Sequence, residues 1–145
     1  MAMRPGAAVR LGGAGFEVER TVRLEEHGNE WFEHRLSSAG TGRSVWIEVP
    51  PSPGPVILYE HSGLLDAAPD GGPEIEHGGE RLPLLTSGRA AYRSVERASA
   101  PKQGIVVYHE YAAGGRHVTY ENRGDAVWEV SEGRAIDAAD VEILA

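Results

Sequence analysis

A chain of 145 residues and 15.6 kDa is one domain's worth of protein, long enough to bury about 68–70% of its unfolded surface without covalent staples. It contains no cysteine, which excludes disulfides and thiolate metal sites. A formal net charge of −8 argues against nucleic acid, whose phosphates require clustered Lys and Arg; it admits a cationic partner, and equally an acidity that serves only solubility.

From the N-terminus, residues 1–13 hold no apolar run long enough for a signal-peptide core. The longest strongly apolar stretches, 56–59 and 105–108, fall far short of the ~20 residues that span a bilayer, so the expectation is a cytoplasmic protein without membrane insertion. Leu11-Gly12-Gly13-Ala14-Gly15-Phe16 lacks the third glycine and following helix of a phosphate cradle and reads as a turn into the first strand. Nineteen glycines and nine prolines separate short β-branched and aromatic runs with period-two alternation. That pattern predicts strands near 16–24, 30–37, 43–49, 56–60, 81–85, 91–97, 105–112, 117–122, 126–131 and 141–144. Hairpin turns fall at 26–29, 39–42 and 113–115. The proline run 50–55 reads as a rigid connector, and 67–73 as a mobile loop. No window carries a helical stripe, and Asp137 is placed to cap a single turn before the last strand.

Two stretches read as versions of one three-strand unit. Val18-Glu19-Arg20, 31–36 and 42–48 correspond to Val95-Glu96-Arg97, 107–111 and 115–121. The expected fold is therefore all-β, with two related antiparallel meanders packed as a sandwich or partly open barrels and little or no helix. They form a single domain over 1–145, with units at about 14–62 and 79–145 joined by the Gly/Pro-rich loop near 66–73.

Alternation sorts the faces. Phe32, His34, Leu36, Val45, Ile47 and Val49 share an apolar face, matched in the second unit by Val107, His109, Tyr111, Val118 and Tyr120. The other face carries Trp31, Glu33, Arg35, Trp46 and Glu48, matched by Tyr108, Glu110, Thr119 and Glu121. Three readings of this mixed face stay open. It lines a shallow site where aromatics stack and carboxylates grip a cation; it is covered by the other half, with Glu33 and Arg35 paired at the rim; or it is an ordinary solvated face. The candidate ligand or partner surface is thus Trp31, Glu33, Arg35, Trp46, Glu48, Glu110 and Glu121. His34 and His109 recur at equivalent positions, as core histidines or as a paired pH sensor or metal site. The six histidines show no metal-ligand spacing, and no cofactor or metal is expected. No nucleophile elbow, P-loop or catalytic carboxylate pair is legible, and Arg123-Gly124-Asp125 reads as a chance tripeptide.

With the strands placed, the chain resembles a family of bacterial domains catalogued as domain-of-unknown-function family 4178. The resemblance rests on 16–22, Trp31-Phe32-Glu33-His34-Arg35-Leu36, Val45-Trp46-Ile47-Glu48, the 108–111 strand, Val118-Thr119-Tyr120-Glu121 and 128–144. His34 stands where Tyr is commoner, and Pro83 interrupts a strand that usually continues, which implies an edge or bulge there. The resemblance implies an all-β protein and supplies no catalytic residue. Members are often encoded beside polyamine-synthesis enzymes and small membrane proteins linked to envelope stress, which implies an accessory role. Two classes of function follow. One is a non-enzymatic accessory or interaction domain that contacts a protein partner. The other is a binding protein for a cationic, polyamine-like molecule, or an enzyme, using Glu33, Glu48, Glu110 or Glu121. A homodimer through an exposed strand edge is a further expectation.

Overall fold

The computed structural model describes residues 3–38, 40–50, 54–65, 69, 71–125 and 127–144; parts of the 39–42 turn, the proline run, the 66–73 loop and the start of the 126–131 strand lie outside them. The chain is all-β, with eleven strands among the described residues: β1 (Ala8–Leu11), β2 (Ala14–Glu26), β3 (Asn29–Ser37), β4 (Ser44–Val49), β5 (Val56–Leu65), β6 (Glu74–His77), β7 (Glu80–Glu96), β8 (Ser99–Ala113), β9 (Arg116–Asn122), β10 (Trp128–Ile136) and β11 (Val141–Leu144). Asp137 caps a 3₁₀ turn at Ala138–Asp140, its side chain accepting from the Ala139 N–H at 2.9 Å.

All neighbouring strands are antiparallel, in the order β11-β1-β2-β3-β4-β5-β10-β9-β8-β7-β6. A further pairing of β2 with β7 closes eight of them into a ring. The two meanders, β2 to β5 and β7 to β10, thus meet twice, through β2–β7 and β5–β10. The ring is uneven, since β4 has six residues and β7 seventeen. Two-residue turns link β1 to β2, β2 to β3, β6 to β7, β7 to β8 and β8 to β9. His27, at φ 50°, is the one non-glycine residue with positive φ among those described, and Gly28 follows at 82°, as a hairpin turn of this length requires.

β1 and β6 lie outside the predicted strands; both are four residues long, β6 ending the order and β1 lying between β11 and β2. The stretches 81–85 and 91–97, predicted as separate, belong to the single strand β7. Ser87-Gly88-Arg89-Ala90 has no β-branched residue to mark it, yet ladders with β8 on one side and β2 on the other hold its neighbourhood extended. Pro83 faces Glu74 of β6, one residue before the ladder with β8 begins at Leu84, so its missing N–H interrupts no bond to β8.

Equivalent bulges organise the halves, between Val18 and Arg20 in β2 and between Leu84 and Thr86 in β7. Val18 pairs with Leu36 and Leu36 with Val45; Leu84 pairs with Tyr111 and Tyr111 with Val118. His34 and His109 therefore occupy matching places, as do Glu48 and Glu121. The two Val-Glu-Arg runs do not. Val18 precedes its bulge, whereas Val95 lies near the far end of β7 and pairs with Thr21, so these runs face each other across the β2–β7 seam.

The bulges also switch faces. Phe16 and Val18 enter an outer core with Leu36, Val45, Ile47 and Val56, covered by Val9 of β1 and Val141 of β11. Val22 and Leu24, in the same sequence phase, enter the ring interior with Ala90 and Val106. A second outer core gathers Leu82, Tyr111, Val118 and Val130 against Ile75 of β6. Among the described residues, no helix is long and apolar enough to cross a membrane.

Candidate functional site

The mixed face of both units turns into the ring. The apolar set faces outward, where Leu36, Val45, Ile47, Tyr111 and Val118 are buried in the outer cores and Phe32, Val49, Val107 and Tyr120 are half-buried. Both surfaces of the sheet are covered, so burial alone does not separate inside from outside. His34, on the outer face of β3, accepts or donates a 2.9 Å hydrogen bond with Thr21 Oγ1, and burial pushes its imidazole down to about 4. His109 stacks on Trp128 with centroids 5.6 Å apart.

Inside the ring lies a cavity of about 260 Å³. Of the seven candidate residues, Trp31, Glu33, Trp46, Glu48, Glu110 and Glu121 line it. Arg35 lies further along β3, at a second space, and pairs at 3.3 Å with Glu19 rather than with Glu33. Trp31 packs edge-on against Tyr108, centroids 6.1 Å apart, and Tyr108 donates a hydrogen bond to Glu26.

The carboxylates belong to β3, β4, β8 and β9 and share one enclosed space. Withdrawal from water disfavours their ionised forms, and their mutual repulsion adds to this. Burial, reinforced by Glu121 and Glu48, holds Glu33 well above the usual carboxylate range, against the opposing pull of Arg123. Glu48 is pushed up to about 8 by burial and by Glu110 and Glu121. Glu121 is raised by burial although Arg123 lies 3.0 Å away. Burial works against the Arg123 charge, yet Glu121, Glu33 and Glu129 together outweigh it and raise its pKa. Its guanidinium also sits over the Tyr92 ring, 5.5 Å from the centroid. Arg123 is thus an interior cation, not an exposed adhesion tip.

A hydrogen-bonded row crosses the cavity. Thr119 Oγ1 donates to the Tyr59 hydroxyl at 3.1 Å, which donates to Glu110 Oε2 at 3.2 Å. His117 Nδ1 is buried 3.5 Å from Glu110 Oε1, without a hydrogen-bond partner. Tyr59 also neighbours Glu48 but has one proton to give, so it cannot satisfy both carboxylates. No three His, Cys, Asp or Glu among the described residues are grouped to hold a metal ion.

Tyr59, Tyr108, Thr119, His117 and Arg123 were not among the candidates. His117, Thr119 and Arg123 share the strand phase of Glu121, and Tyr108 that of Glu110, so alternation carries a signal for these four. Tyr59 enters through a tertiary pairing, opposite Trp46.

Fold and site together define an all-β protein whose eight-strand ring encloses an acidic, aromatic-walled cavity. The chain belongs to the family described as Domain of unknown function (DUF4178), whose pattern matches residues 4–138. No curated protein and no solved structure matches it.

Proposed function

We propose that the protein binds a small organic cation of the ammonium class, polyamine-like in chemistry, inside the ring, and acts in the cytoplasm as an accessory binding protein rather than as an enzyme. One observation carries this reading: Glu33, Glu48, Glu110 and Glu121 face a single 260 Å³ cavity in which Arg123 is the one guanidinium among the described lining residues. Unliganded, the site limits its own repulsion by keeping carboxyls protonated. An ammonium ion supplies the missing positive charge, and Trp31, Trp46 and Tyr108 offer aromatic surface to its methylenes and its charge. The acids share no close metal-like grouping, which favours an extended organic cation over a chelated ion.

Titration calorimetry with spermidine at low and moderate salt tests the reading. The expected result is saturable binding that persists at moderate salt and weakens at least ~10-fold, about 1.4 kcal/mol, in the Glu33→Gln, Glu48→Gln double variant. Heat that vanishes at moderate salt in the unaltered protein means diffuse attraction to an acidic surface and overturns it.

A further inference from the structure

The ring interior does not end at the acids. Toward the end where β2 meets Glu96 of β7 lies a second space of about 370 Å³, which shares Trp46, Arg123 and Glu129 with the first. Its charge is of the opposite sign. Arg20, Arg35, Lys102 and Arg123 line it with His61, against the single carboxylate of Glu129. All eight ring strands, or the turns that leave them, reach this space, so it is a mouth of the ring and not a side crevice. Arg20 and Arg35 stand directly opposite one another across β2 and β3, like charges each offset by a carboxylate of its own. Their partners, Glu96 and Glu19, are not among the residues lining the space, and Lys102 has no ion pair among the described residues.

We infer that this basic mouth takes the oxyanion of a dipolar ligand, an amino carboxylate or amino phosphate whose ammonium end lies among Glu33, Glu48, Glu110 and Glu121. The inference rests on the ammonium reading above and adds the second charged group. Strand geometry bounds the ligand's length. Arg35 and Glu33 are two residues apart on one face of β3, about 7 Å, the span of a chain of five or six methylenes. Guanidinium groups suit the planar or tetrahedral oxyanion, and the cavity acids repel it, so the lumen orients the ligand as well as holding it.

Calorimetry at fixed ionic strength with 6-aminohexanoate, 6-aminohexyl phosphate, hexylamine and 1,6-diaminohexane separates the outcomes. At least one of the two dipolar compounds is expected to bind ~10-fold or more tightly than hexylamine. The Arg35→Gln, Lys102→Gln double variant should lose that preference and keep its affinity for hexylamine. If diaminohexane binds as tightly as both dipolar compounds, the mouth is not an oxyanion site, while the ammonium reading stands. If no compound binds, both readings fall. The ligand series on the unaltered protein decides the matter even if the double variant does not fold.

Discussion

Glu48 couples the chemistry of the cavity to stability. In the folded protein its carboxyl keeps its proton up to about pH 8, whereas in the unfolded chain it ionises near its ordinary value of 4.5. Between those limits the folded state binds more protons, so stability falls as pH rises through that window; Glu33 and Glu121, also raised, add to the same slope. His34 acts oppositely at lower pH. It stays neutral in the fold down to about 4, while the unfolded chain takes up its proton below 6.5, so stability falls as pH drops through that interval. Between about 4.5 and 6.5 Glu48 and His34 offset one another, so the unliganded protein should lose melting temperature most clearly from pH 6.5 to 8, where only the raised carboxyls act. Glu48→Gln should flatten that decline and raise stability at pH 8.5 by on the order of 2 kcal/mol. Parallel melting curves for the two proteins across this range would sink the argument.

Among elements, the β5–β10 pair sets the hydrogen-bonded row. Gly133 of β10 lies opposite Tyr59 of β5, and a β-carbon there would come within 2.6 Å of two Tyr59 ring carbons. The glycine lets the ring lie against β10 with its hydroxyl between Thr119 and Glu110. Gly133→Ala should displace that ring and cost about 1–3 kcal/mol, measurable by urea denaturation. Tyr59→Phe keeps the packing and should cost less; the reverse order would show that the hydroxyl row, and not the ring's seat, dominates. The bulges work on the same scale. Strict alternation places Phe16, Val18, Val22 and Leu24 on one face, yet the extra residue in β2 divides them between an outer core and the lumen. A phase change of this kind leaves no mark in composition, because both segments are apolar and both are buried.

At the scale of the molecule, closure is what makes an interior. Val22 and Leu24 of the first meander pack with Ala90 and Val106 of the second, and the lumen carboxylates come from both halves, Glu33 and Glu48 from the first and Glu110, Glu121 and Glu129 from the second. Neither half can enclose the cavity alone. A fragment spanning residues 3–65 is expected to lack dispersed amide NMR signals at neutral pH, and mixing it with 71–144 should restore them in part. A well-dispersed spectrum from the first fragment alone would show that the outer core is sufficient and that ring closure is secondary.

Alternation, turn residues and charge by themselves determined an all-β chain, the phase of the β3–β4 and β8–β9 hairpins, the capped turn at Asp137, and a mixed face carrying Trp31, Glu33, Trp46, Glu48, Glu110 and Glu121. These properties depend on neighbours along the chain, which period-two geometry reports directly. Only the tertiary structure decided that the mixed face points inward and the apolar face outward. It alone decided that β1, β11 and β6 cover the outer cores, and that Tyr59 joins the acids. A strand's alternation records that its two faces differ but not which one a closed sheet encloses. That depends on pairings such as Arg20 with Glu96 and Tyr59 with Gly133, between residues more than seventy positions apart.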